Sequence, residues 1–204
     1  MDRMRRLILL SLIAATLTAC GTGPPIHYYT VAIPAAPDAS TYVYPVALLV
    51  GRVEAPAILQ SEPIVYRTGA NEVGTYQYRR WVEPPADMLR TNLIRMLRAS
   101  GNYQSVTELG SASAGEYVIR GSLYDFEEVD SPGNMAARVS LELTLSNRKT
   151  RQTVWSHYYS QTEPVQGKEI SDVVGALDRN LDRGLKEASS SVADYFAQNL
   201  SRKP

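Results

Sequence analysis

Cys20 is the only cysteine among 204 residues, and it stands directly behind Leu17-Thr18-Ala19. A bulky apolar residue, two small ones and then cysteine form the pattern of a bacterial lipobox. In that chemistry the thiol takes a diacylglycerol and the new amino terminus a third acyl chain. The preceding segment fits: Arg3, Arg5 and Arg6 make a positive start, and Leu7 to Ala19 is an apolar stretch of thirteen residues. That length is too short for a bilayer core of about 30 Å and right for a secretory signal. The competing reading is an ordinary signal peptide with a cysteine near its cleavage point. Each buried acyl methylene adds roughly 0.8 kcal/mol, so several chains anchor a protein without a spanning helix. Gly21, rather than aspartate, follows the cysteine, which by the sorting rule of Gram-negative lipoproteins points to the outer membrane. We therefore expect a signal peptide over 1–19, a lipidated tether over 20–27, and a periplasmic domain over 28–204.

Other reactive chemistry is scarce. One cysteine excludes an internal disulfide framework, and His27 and His157 lie 130 residues apart with no H-E-x-x-H spacing near either. No G-x-S-x-G elbow occurs. Gly167-Lys168 is followed by Glu169 rather than a hydroxyl residue, so it is not the end of a phosphate loop. Glu127, Glu128 and Asp130 precede Pro132-Gly133; they read as a solvated acidic loop, with a weak cation as the lesser reading. His157 sits among Trp155, Tyr158 and Tyr159 and reads as a structural or surface imidazole. Neither catalytic residues nor a metal or cofactor are expected, although a hydrolase with widely spaced Asp or Glu residues would leave no local motif.

The charge balance narrows the partners. Twenty-one basic residues face 21 acidic ones, and removing a leader that holds three arginines and Asp2 leaves 18 against 20. A near-neutral chain offers no electrostatic footprint for nucleic acid. Thirteen tyrosines against two phenylalanines is a bias towards side chains with an apolar body and a polar tip, which suit interfaces. Tyr76, Tyr78, Arg79, Arg80 and Trp81 are the candidate partner contact, for a protein or a lipid headgroup. Their alternative role is packing beneath the first helix with only the hydroxyls exposed.

The elements that would position these residues follow from periodicity. Tyr28 to Ile33, Val46 to Val53, Ile64 to Arg67, Tyr76 to Trp81 and Tyr103 to Val106 read as strands, the second covered on both faces and the third and fourth joined as a hairpin. Tyr117 to Phe126, the alternating run through Val139, Leu141, Leu143 and Leu145, and Val154 to Gln161 form an antiparallel meander. Ala86, Leu89, Leu93, Met96 and Leu97 mark a helix entered at Pro84-Pro85 and ended by Gly101. Ile170, Val173, Val174, Leu177, Leu181, Leu185, Ala188, Val192, Tyr195 and Phe196 mark a longer one. The fold class is α+β, a mainly antiparallel sheet with both amphipathic helices on one face.

The ordered set of Cys20, Tyr28-Tyr29-Thr30, Ile64-Val65-Tyr66-Arg67, Tyr78-Arg79-Arg80-Trp81-Val82-Glu83-Pro84-Pro85 and Val154-Trp155-Ser156 resembles the ABC-type transport auxiliary lipoprotein family, which includes the paraquat-inducible protein C group. The likeness runs roughly from Tyr28 to Phe196. It implies a non-catalytic protein held at the outer membrane that partners an MCE-type substrate-binding subunit, an ABC permease and an ATPase. The cargo implied is phospholipid or another hydrophobic molecule. Self-association is left open, and an envelope-assembly or cell-wall scaffold without a transporter is the alternative.

Overall fold

The computed structural model describes residues 23–31, 44–111, 114–131 and 134–200. Leu17, Thr18, Ala19 and Cys20, and the end of the expected first strand, lie outside the described residues. The strands are β1 (His27–Tyr29), β2 (Tyr44–Glu54), β3 (Pro63–Thr68), β4 (Glu72–Trp81), β5 (Tyr103–Glu108), β6 (Tyr117–Ser131), β7 (Asn134–Asn147) and β8 (Thr153–Pro164). Helix α1 covers Pro85–Ala99 and α2 covers Ile170–Leu200; a single 3-10 turn at Ala57–Gln60 follows β2.

The strand β6 organises the sheet. Along one edge it pairs antiparallel with β7, from Tyr117 opposite Asn147 to Ser131 opposite Asn134, and β7 continues antiparallel to β8. Its other edge is shared. The first half pairs parallel with β2, and the second half, from Glu127 to Asp130, pairs parallel with β3. β2 goes on to β5, while β3 goes on to β4 and then β1. The expected α+β class, the 3–4 hairpin and the meander are all present, and the longest ladders are antiparallel. The parallel pairings are additional: they join segments distant in sequence, which local periodicity does not report.

Each element has a local cause. β2 is nearly continuous in apolar residues and is paired on both edges, and Val46, Leu48, Leu49, Val50 and Gly51 are buried. Along β7 the alternation is strict: Val139, Leu141, Leu143 and Leu145 are at most 1% exposed, and the residues between them face the other side. Helix α1 starts with proline in its first turn, where the missing N–H costs nothing. It ends at Gly101, whose φ of 65° is the left-handed conformation of a helix terminus. Leu89, Leu93 and Leu97 enter the core as expected; Met88 and Ile94 are buried as well, on a helix that meets α2 and the 3-10 turn in addition to the sheet.

Helix α2 is bolted to β7 and β8 by polar groups as well as by its apolar stripe. The side chain of Asn180 is fully buried. Its Nδ2 donates to the carbonyls of Ala137 and Gln161, each at 3.1 Å, and its Oδ1 accepts from the Tyr159 hydroxyl at 2.7 Å. The Tyr159 ring lies so close to Gly184 that a Cβ there would come within 2.7 Å of it. On either side along β8, the Trp155 indole donates to Ser191 at 3.0 Å, and Glu163 accepts from Arg179 at 2.7 Å and Arg183 at 3.0 Å. Positions 155, 159 and 163 share one face of the strand, so the three contacts run in a line down the helix.

Removing the Asn180 amide takes its N–H donors from the carbonyls of Ala137 and Gln161 and leaves the Tyr159 hydroxyl with the Asn180 main-chain carbonyl, at 3.0 Å, as its acceptor. We expect Asn180→Leu to lose about 2–4 kcal/mol of stability in urea unfolding. Gly184→Ala should lose about 1 kcal/mol, the overpacking against Tyr159 exceeding the gain in helix propensity.

Candidate interaction surfaces

The β3–β4 hairpin carries the candidate contact residues, and it does not present them together. Trp81 is 0% exposed, with its ring 5.3 Å from that of Phe126. The expectation that it joins a surface contact is corrected: it is a core residue. Tyr76 turns inward too, its hydroxyl donating to Glu128 at 2.9 Å and its ring 5.0 Å from Tyr66. Tyr76 and Trp81 are five positions apart, so a regular strand would send them to opposite faces. The β3–β4 register shifts between Pro63 opposite Arg80 and Val65 opposite Thr75. That irregularity defeats a reading by alternation. Tyr78, Arg79 and Arg80 remain partly exposed, and Arg80 lies 3.6 Å from Glu62.

The acidic cluster is not a loop. Glu127, Glu128 and Asp130 belong to β6, and the first two are 3% and 2% exposed. As neighbours on a strand they point to opposite faces. Glu127 accepts two bonds from the Arg67 guanidinium, at 2.6 and 3.1 Å, with Arg138 at 3.7 Å, a clamp across β3, β6 and β7. The bond to Glu127 raises the Arg67 pKa still further above its ordinary value. Glu128, on the face of Phe126, has the Tyr76 hydroxyl. Burial pushes the Glu128 carboxyl above the ordinary carboxylate value, with the Tyr76 bond pulling the other way; burial and the same bond raise Tyr76. Two carboxylates back to back cannot act on one substrate. Among the described residues no group of three or more His, Cys, Asp or Glu is placed to hold a metal ion. The ring of His157 stacks on Trp155 at 6.1 Å.

The face of the sheet away from the helices is polar, and local reading did not single it out. Tyr124 and Tyr158 are 46% and 62% exposed with rings 6.2 Å apart, and Tyr124 donates to Glu142 at 2.8 Å. Ser140 and Ser160 share a hydrogen bond of 2.8 Å beside them. The signal was available as tyrosines on the wet positions of alternating strands. The outer edge of β8, twelve residues long, pairs with no other strand among the described residues. Such an edge offers backbone N–H and C=O groups to a partner.

A family model described as ABC-type transport auxiliary lipoprotein component matches residues 29–188. Protein XCC0632 from Xanthomonas campestris has a crystal structure similar to this chain, with a TM-score of 0.77 at 20% identity over 86% of this chain and 99% of that one. An uncharacterized protein gives 0.66 at 15% identity, over 83% and 99%. The hypothetical protein CT253 from Chlamydia trachomatis gives 0.52 at 9%, over 76% and 100%. These likenesses show a shared fold. No curated protein matches the chain.

The buried Glu128 carboxyl has a measurable consequence. Its pKa is higher folded than unfolded, so the folded state holds the proton more tightly. The stability it contributes is present at low pH and is lost as pH rises from the unfolded value, about 4.3, through the folded one. Glu128→Gln keeps an acceptor for Tyr76 without the charge. We expect it to be more stable than the parent at pH 7, with the margin closing towards pH 4, in urea unfolding of both proteins across that range.

Proposed function

The chain belongs to the ABC-type transport auxiliary lipoprotein component family, and from that premise we propose that it is the outer-membrane-anchored, non-catalytic member of an MCE-type transport system. The family match over residues 29–188 carries the reading. In it, Cys20 bears the lipid, Gly21 behind it directs the protein to the outer membrane, and the domain faces the periplasm. The transporter's ATPase supplies the energy, and the cargo is phospholipid or another hydrophobic molecule.

Docking of the MCE-type subunit falls to the polar sheet face and the β8 edge. Tyr124 and Tyr158 are exposed aromatics with hydroxyl tips, the residue type that anchors interfaces. The inward turn of Tyr76 and Trp81 removes the hairpin's strongest anchors from this role. Support for a non-catalytic role comes from Glu127 and Glu128, the two buried carboxylates, which are separated by the plane of the sheet.

Two outcomes test the proposal. A Cys20→Ala variant should take up no labelled fatty acid and should leave the membrane fraction. Purified full-length protein should capture an MCE-type subunit from the same cell, and Tyr158→Ala should weaken that capture about tenfold or more. No capture, together with no permease and ATPase genes beside this one, would favour an envelope scaffold.

A further inference from the structure

Seven large apolar or aromatic side chains are more than a third exposed among the described residues, and three of them gather at one corner of the sheet. Ile26 is 42% exposed, Tyr28 57% and Val82 54%. They are brought together by backbone pairing. β1 runs parallel to β4 with Tyr28 beside Arg80, and the Val82 N–H donates to the Tyr29 carbonyl at 2.8 Å. Trp81 and Tyr29, side by side in that pairing, turn towards the core. Tyr28 and Arg80 therefore share the opposite face, with Ile26 two positions before Tyr28 in the chain.

We propose that this corner lies against the bilayer that holds the protein, with Ile26, Tyr28 and Val82 in the boundary between headgroups and acyl chains and Arg80 at the lipid phosphates. The inference rests on the reading of Cys20 as the lipidated residue. Ile26 is six positions after Cys20, a reach of at most about 21 Å when fully extended. β1 follows directly, so the anchor is tied to the fold at this corner and nowhere else. A tether that short makes the contact intramolecular, at an effective concentration in about the millimolar range. A patch too weak to hold a free protein on a membrane is then populated. Its chemistry suits the occupant: aliphatic side chains, a tyrosine whose ring and hydroxyl straddle an interface, and an arginine whose solvent-exposed pairing with Glu62, at 3.6 Å, leaves other guanidinium N–H groups for anionic phosphate. Orientation follows as well. β1 and β8 are the two ends of the series β1, β4, β3, β6, β7, β8, about 24 Å apart at strand spacing. The β8 edge then points away from the lipid.

The test uses the mature, full-length protein in vesicles of phosphatidylethanolamine and phosphatidylglycerol. Lipidation blocks the Cys20 thiol, so a cysteine introduced by Val82→Cys, by Tyr28→Cys or, at the exposed far edge, by Ser156→Cys is the one that reacts with a nitrobenzoxadiazole label. Nitroxide-bearing lipids should quench the labels at 82 and 28 at least threefold more than the label at 156. Equal quenching at the three positions, with the unsubstituted parent taking no label, would overturn the membrane contact while leaving the anchor intact. Labelling of the parent itself would instead overturn the lipidated Cys20 on which the contact depends.

Discussion

The buried amide of Asn180 is the constraint on which the fold closes. Helix α2 could lie on the sheet through its apolar stripe alone, yet a stripe of leucines permits sliding and rotation. An amide that must meet the carbonyls of Ala137 and Gln161 and the hydroxyl of Tyr159 together allows one register. The cost of leaving those groups unpaired in the core makes every other register unfavourable. The close approach of Tyr159 to Gly184 and the Glu163 pairs with Arg179 and Arg183 then fall into place along the same line. β8, whose outer edge pairs with no other strand among the described residues, is held by the β7 ladder along its inner edge and by this helix across its face.

Much of this was legible in the chain, and the exceptions share a cause. Helical stripes and the alternation of β7 report how one segment meets a hydrophobic layer, and both were readable from spacing. Asn180 itself was visible as a polar residue at a stripe position between Leu177 and Leu181, without its partners being deducible. What spacing does not report is pairing at a distance. The acidic run at 127–130 reads as a loop because it is charged and precedes Pro132-Gly133; Arg67, sixty residues earlier, is what makes Glu127 acceptable in a strand. Likewise the shift in register within β4 sends Tyr76 and Trp81 to the same side, which no alternation rule foresees. The residue with the clearest chemistry, Cys20, was read from its motif and lies outside the described residues.

The tyrosine bias divides into two uses. Tyr44, Tyr103 and Tyr117 surround Phe196 with ring centroids 5.1 to 6.0 Å from it, and there tyrosine fills the space that phenylalanine fills in other cores. Tyr28, Tyr124 and Tyr158 stand on the surface instead. The same residue type thus serves a buried aromatic cluster at the end of α2 and a sparse aromatic display on the sheet.

The divided edge of β6 also bears on the order in which the chain can fold. β2 and β3 emerge early during synthesis, but the strand that joins them does not exist until residue 131 has been made, and α2, which seals the core, is the last element described. Until then the early strands have the β3–β4 hairpin and the parallel β1–β4 and β2–β5 pairings to hold them. Closing such long loops is slow. A chain that folds from its amino terminus therefore completes its sheet and its core only once the last helix has been made.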